Sequence, residues 1–246
     1  MNKLNILVVN DDGINAKGIK LLAGALTKYG NVIVCAPDSG RSACAHAIIL
    51  HGTLSFDFVE RKDGIDWYVT DAMPADCVRL ALDLLDTKFD VVFSGVNSGQ
   101  NLGTDIIYSG TVSAAREAHI EYIPAVAVST DFDAWEIVEN ELEYVLDMVF
   151  NKKLYSKDYV LNINFPNKPF TKSAGFATAF QGVKRFKTAF LRNNEGRYIN
   201  TDSDIVYDTR EGSDVYLAEK GYTTFVPLKV EQTSYDYVEE IKNKLN

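Results

Sequence analysis

Two adjacent carboxylates, Asp11 and Asp12, follow the apolar run Leu4–Val9 and Asn10, and Gly13 follows them. Like charges side by side repel. A divalent cation removes that cost and matches oxygen ligands, but Asn, Asp and Gly also make ordinary turns, so a metal-ligating pair and a plain strand-to-loop bend both stay open. Asn10 narrows the chemistry. A phosphatase that forms a covalent aspartyl-phosphate needs Asp at the first position of Asp-x-Asp-Gly, where this chain has an amide. A phospho-accepting receiver needs an Asp where Ser94 stands and a Lys after Ser129-Thr130, and both are missing.

Further oxygen donors stand in two later loops. Ser42, in Gly40-Arg41-Ser42-Ala43, could ligate a cation through its hydroxyl, and Arg41 could neutralise substrate charge. Asn97 lies in the loop Ser94–Thr111, dense in glycine and amides, and offers a neutral carbonyl oxygen. Loops of this length without secondary structure are uncommon in compact domains unless functional. This one ends at Ser109-Gly110-Thr111, where a helix begins; its free N–H groups and dipole favour an anion such as phosphate, although Ser and Thr are also simply good helix caps. Cys44 and His46 lack an orienting third group, which argues against a thiol nucleophile. His46 and His51 read as structural, with contact to a leaving group open for His46, and Asp76 reads as a favourable first-turn charge.

These residues need a frame that brings strand ends together. Leu4–Val9, a helical pattern with Ile19, Leu22, Ala25 and Leu26, and Val32–Ala36 form a strand-helix-strand unit with parallel strands. Ala47–Phe58 reads as strand-like before a Lys62-Asp63-Gly64 turn and Trp67–Val69, an antiparallel excursion. Pro74 opens a helix, Phe89–Phe93 is a core strand, and a helix follows Thr111. Pro124–Ser129 is a strand, Val138–Val149 marks a long amphipathic helix, and Val160–Phe165 a further strand. Helical periodicity then disappears until Tyr235–Leu245. Phe176–Arg192 and Arg197–Thr201 flank Asn193–Gly196 as a hairpin tip. Its basic residues (Lys184, Arg185, Lys187, Arg192, Arg197) suit a solvated face, and such an arm is a plausible oligomerisation device. Gly221–Pro227 resembles one more strand. In open α/β sheets ligands bind beyond the carboxyl ends of the strands, where Asp11, Ser42 and Asn97 all fall.

Composition sets the bounds. The 246 residues are 46% hydrophobic and 24% charged, which suits one globular α/β domain. Twenty-five Lys and Arg against 34 Asp and Glu give a formal charge of −9, which disfavours nucleic-acid polymers and anionic membranes while allowing a small phosphorylated ligand at a local site. No stretch is apolar enough to span a bilayer. The 3 cysteines (Cys35, Cys44, Cys77) have no metal-type spacing, which fits a reducing cytoplasm.

Val9-Asn10-Asp11-Asp12-Gly13-Ile14 with Lys17-Gly18-Ile19, Ala36-Pro37-Asp38 to Arg41-Ser42, Pro74-Ala75-Asp76-Cys77, and Ser94-Gly95-Val96-Asn97 through Ser109-Gly110-Thr111-Val112 together resemble the SurE survival-protein family. Weaker matches continue at Asn162–Pro166 and Gly221-Tyr222 to Pro227-Leu228. The resemblance implies a Rossmann-like three-layer α/β/α sandwich: one domain over 1–246, with an α/β core to about residue 170, then a hairpin arm and terminal helix. It implies a metal-dependent phosphatase of nucleoside 5′- and 3′-monophosphates, with short-polyphosphate trimming in some members, and a dimer or tetramer built by exchanging C-terminal segments. The family's metal ligands fall on Asp11, Asp12, Ser42 and Asn97, and its phosphate-gripping residues on Asn101, Ser109, Gly110 and Thr111. Two departures stand out: Ala72-Met73 replaces the usual Gly-Thr before Pro-Ala-Asp, which bears on substrate preference, and Leu217 stands where a small residue is usual. The mechanism expected is attack by a metal-bound water on the phosphomonoester, with Asp11 or Asp12 taking the water's proton. One Mg²⁺ or Mn²⁺ per subunit suits an all-oxygen ligand set. The competing readings are an exopolyphosphatase and a non-catalytic nucleotide- or phosphate-binding protein.

Overall fold

The fold is described from a computed structural model covering residues 3–187, 189–201 and 205–245. The central strands of the sheet are buried on both faces, so side-chain alternation feeds two cores. In β1 (Leu4–Val9), Ile6 and Val8 pack with Ile19, Leu22 and Leu26 of α1 (Lys17–Leu26) and Val138, Leu142 and Val145 of α5 (Trp135–Asn151). Leu7 and Val9 face the opposite layer, packing with Cys77, Val78 and Ala81 of α2 (Pro74–Leu84) and Val112 and Ala115 of α4 (Gly110–Ile120). Helices on both faces of one sheet give the expected three layers.

Among the described residues the sheet has nine strands. β2 (Gly30–Pro37) and β5 (Val91–Ser98) flank β1 in parallel; β6 (Ala125–Thr130) and β7 (Val160–Asn164) continue beyond β5. On the other side the hairpin β3 (Asp57–Lys62) and β4 (Ile65–Thr70) adds an edge through β4, parallel to β2. α1 connects β1 to β2, while β5 lies on the opposite side of β1. The order therefore reverses between β1 and β5, and that crevice is where ligands bind in doubly wound sheets.

Two C-terminal strands complete the far edge. β13 (Tyr222–Leu228) runs antiparallel to β7, and β8 (Gly175–Thr178) runs parallel to β13. Between them in sequence lie two small antiparallel pairs: β9 (Lys184–Phe186) with β12 (Ile205–Tyr207), and β10 (Phe190–Arg192) with β11 (Tyr198–Asn200). The second pair has the expected Asn193–Gly196 tip. α7 (Tyr235–Leu245) has the expected bounds and buries no residue against its own chain.

The strand expected over Ala47–Phe58 is regular only from Asp57. Upstream the backbone finds side chains in place of a ladder: Ile49 N–H donates to Asp76 Oδ2 (2.9 Å) and Ser55 N–H to Asp71 Oδ1 (2.9 Å). Two short helices, α3 (Asp105–Tyr108) and α6 (Asp214–Glu219), were not foreseen, because neither is long enough to show a period.

Candidate active site

The turn at the end of β1 is closed by Asn10. Its Nδ2 donates to Gly13 O (2.9 Å) and its Oδ1 accepts Gly13 N–H (3.2 Å), so this buried amide shapes the bend and leaves the chemistry to its neighbours. Asp11 points inward, only 5% exposed. Its Oδ1 accepts the Thr111 hydroxyl (2.5 Å), and the Thr111 backbone N–H also faces the carboxylate. Burial, reinforced by the Asp12 charge and opposed by Thr111, pushes the Asp11 pKa up to about 6. Asp12 is less deep. Its Oδ2 accepts Ser98 N–H (3.0 Å), and burial raises its pKa as well.

Close approach of α4 is what makes this arrangement possible. A Cβ on Gly110 would stand 2.8 Å from Asp11 Cβ, 2.9 Å from Asp11 Oδ2 and 2.9 Å from Cys44 Sγ. Only glycine lets the helix start reach Asp11. Ser109 caps the helix by accepting Val112 N–H (2.9 Å), and its hydroxyl proton remains free to donate. Thr111 does not: its hydroxyl and N–H both serve Asp11. Of the expected anion-gripping groups, Thr111 is therefore first an orienting partner of the carboxylate.

The other strand ends fold onto the same turn. Arg41 N–H donates to Asp11 O (2.7 Å), which brings Ser42 alongside; Ser42 is exposed and its hydroxyl has no partner among the described residues. The Arg41 guanidinium is committed to Asp38 Oδ1 and Asp71 O (2.9 Å each) and to Ser39 Oγ (2.6 Å). It braces the loop and is not a free cation for substrate. In β5 the register with β6 shifts between Ser94 and Asn97, and such a bulge re-aims side chains. Asn97 Nδ2 donates to Gly99 O (2.6 Å), leaving its Oδ1 as an unused acceptor.

Asn101 lies farther along this loop and bonds to β6 and β7. Its Nδ2 donates to Ser129 Oγ (2.7 Å), its N–H to Asn164 Oδ1 (2.8 Å), and its carbonyl accepts Asn162 and Asn164. His46 lies in a charged network. Its Nε2 pairs with Glu117 Oε2 (2.8 Å), Glu117 also faces Arg79, and Arg79 reaches Asp76 Oδ1 (3.1 Å), tying the Ser42–Ile49 segment to α4 and α2. The partners Glu117 and Arg79 escaped sequence reasoning because nothing local marks them. Cys44 borders Asp11, and burial together with that carboxylate raises its thiol pKa, which keeps it a poor nucleophile.

The donor set suits a hard divalent ion. No cluster of three or more His, Cys, Asp or Glu could hold a metal among the described residues, so any ligand set here must add neutral oxygens to the two carboxylates. Ser42 Oγ and Asn97 Oδ1 are both unused, and the two desolvated carboxylates carry a charge cost that a cation would offset.

A doubly wound α/β sheet binds its ligands at the switch point, and here that point sets a carboxylate pair beside a helix N-terminus, the kind of end that favours an anion such as phosphate. The model of the family "Survival protein SurE" matches residues 6–188. The chain is 39% identical over 245 residues to the 5′-nucleotidase SurE of Clostridium botulinum (strain Loch Maree / Type A3), covering 96% of this chain and 97% of that one. It is 37% identical over 255 residues to the 5′-nucleotidase SurE of Carboxydothermus hydrogenoformans, covering 97% and 95%. The crystal structure of the SurE protein from Aquifex aeolicus superposes with a TM-score of 0.81 at 30% identity, over 98% of this chain and all of that one. This chain belongs to the SurE family.

Proposed function

We propose that this protein is a metal-dependent phosphomonoesterase that hydrolyses nucleoside 5′-monophosphates, and 3′-monophosphates as well, to nucleoside and phosphate. The observation that carries it is the juxtaposition of Asp11 and Asp12 with the N-terminus of α4, with unused oxygens on Ser42 and Asn97 in the two loops that pack on the same turn. The 5′-nucleotidase names of its relatives point to the same activity.

Asp11, Asp12, Ser42 and Asn97 would hold one Mg²⁺ or Mn²⁺. Such an ion would acidify a water and offset charge on the phosphoryl oxygens. The chain's own groups supply the rest. Thr111 fixes the direction of Asp11, and Ser98 N–H fixes Asp12, so neither carboxylate has to reorganise when substrate arrives. Ser109 O–H and the Gly110 N–H at the α4 start favour the phosphate dianion and its equatorial oxygens. Asn101 Nδ2 carries two N–H groups and gives one of them to Ser129 Oγ. Its second N–H is left for an anion without disturbing the bond to Ser129. Asp11 or Asp12 accepts the proton of the attacking water.

A second copy of the chain would cover the arm and α7. Phe190, Leu191, Tyr198 and Ile199 are exposed on the arm, and Val238, Ile241 and Leu245 on α7. A lone helix of this length is marginal in water, which favours a partner surface and hence a homodimer or homotetramer.

The test is inorganic phosphate release with added Mn²⁺ or Mg²⁺ across nucleoside 5′- and 3′-monophosphates and polyphosphate. Nucleotide turnover that stops on chelation and is largely lost in Asp12→Asn is expected. Phosphate release only from polyphosphate would favour the exopolyphosphatase reading, and binding without turnover would sink the enzyme.

A further inference from the structure

A strand in the middle of a sheet covered by helices on both faces normally reads as apolar throughout. β7 does not. Its sequence Val160-Leu161-Asn162-Ile163-Asn164 puts two asparagines on one face, both fully buried, while Leu161 and Ile163 join the core on the other. Burying amides is costly unless their hydrogen bonds are made. Asn164 Oδ1 accepts Asn101 N–H (2.8 Å) and Asn164 Nδ2 donates to Asn101 O (3.1 Å). This is the double exchange a residue makes with its partner in an antiparallel ladder, here made by a side chain. Asn162 Nδ2 donates to the same carbonyl (2.9 Å).

The neighbouring residues of that loop are held in the same way. Gln100 Nε2 donates to Phe165 O (2.8 Å). Gly103 N–H donates to Asp214 Oδ2 (2.9 Å), and Gly103 O accepts Gln181 Nε2 (2.8 Å). The segment from Gln100 to Gly103 has no regular structure, so its buried backbone groups need side-chain partners. The same loop begins at Ser98, whose N–H holds Asp12. It therefore runs from the carboxylate pair to the amide clamp within a few residues.

We propose that Asn164, assisted by Asn162, is a positioning residue for the phosphate side of the active site, fixing the Asn101 peptide so that this loop presents its groups at one place. The clamp itself is read from the hydrogen bonds; its consequence for phosphate rests on the phosphomonoesterase reading above. No β7 side chain has to touch substrate. The amide is needed at both ends: Asn164→Asp keeps the acceptor for Asn101 N–H, loses the donor, and sets a carboxylate against the Asn101 carbonyl.

The test uses two readouts on the full chain, for wild type, Asn164→Asp and Asn162→Ala. Amide hydrogen exchange should show faster exchange at Asn101 in both variants, more so in Asn164→Asp, with the β7–β13 ladder amides still protected. Titration with inorganic phosphate should show affinity falling about tenfold or more in Asn164→Asp, with the Mn²⁺ concentration for half-saturation unchanged. In turnover the loss should appear mainly in KM. Unchanged exchange at Asn101 would overturn the clamp. Equal losses of phosphate and Mn²⁺ affinity, with protection lost across the sheet, would mean a purely structural role. If Asn164→Asp does not fold, Asn162→Ala decides on the same readouts. If the wild type releases no phosphate from any nucleotide, the function reading fails while the exchange result still judges the clamp.

Discussion

Gly110→Ala is the sharpest perturbation of the site that adds no charge and removes no ligand. The added methyl would sit 2.8 Å from Asp11 Cβ and 2.9 Å from both Asp11 Oδ2 and Cys44 Sγ. Carbon atoms in good contact stand about 3.5–4.0 Å apart, so Asp11 and the start of α4 must part by roughly 0.7 Å or more. The Cys44 side chain can rotate away. Asp11 cannot do so without losing the bonds from Thr111. Overpacking of this kind costs about 1–3 kcal/mol, less than the roughly 5–15 kcal/mol that holds an ordinary domain, so the fold survives. The chemistry is less tolerant. A misplacement near 1 Å can lower turnover about 100-fold, or about 2.7 kcal/mol of transition-state stabilisation. Measuring kcat/KM for a nucleoside monophosphate across a Mn²⁺ titration, beside a thermal melt, separates the two effects. Wild-type kcat/KM in a folded Gly110→Ala protein would show that the helix start does not need to touch Asp11.

Gly24→Ala is the counterpart in α1, where a Cβ meets nothing within 4 Å; a gain of about 1 kcal/mol and a melting point about 2–4 °C higher are expected, with activity unchanged. Met73 sits at the N-cap of α2 with extended backbone and no side-chain cap, followed by Pro74 and, at the third helical position, Asp76. Met73→Thr should cap the helix and raise stability by about 0.5–2 kcal/mol in a denaturant melt, and no gain would mean that the packing of Met73 outweighs a cap. Deleting 176–246 would remove β8 and β13 from the main sheet, so the arm is better tested with serine at Phe190, Leu191, Tyr198 and Ile199. Sedimentation should then report a smaller assembly, and an unchanged one would refute the arm's role.

The layers were legible because their signals are local. α1, α2, α4, α5 and α7 each show apolar spacing or a start signal, and the core strands are short apolar runs bounded by turn residues. The Ala47–Phe58 misreading has a physical cause: its backbone is satisfied by Asp71 and Asp76, and a choice of distant partner leaves no pattern in the segment itself. The site divides the same way. Asp11, Asp12, Ser42 and Asn97 could be placed because they stand at strand ends. That Thr111 orients Asp11, that Arg41 is spent on the Asp71 carbonyl, and that Asn164 holds Asn101 are pairings across tens of residues, visible only once the strands are in register.

The strand order also bears on how the chain fares while it is being made. β7 ends at Asn164, but the neighbour that covers its outer edge, β13, begins only at Tyr222. At about 5–20 residues per second, a ribosome leaves that edge unpaired for several seconds. An open, flat, apolar edge is a template for pairing with another nascent chain. Val160–Asn164 carries neither a charge nor a proline to blunt that edge, so until Tyr222 is made only the speed of synthesis and the cover of the helices protect it.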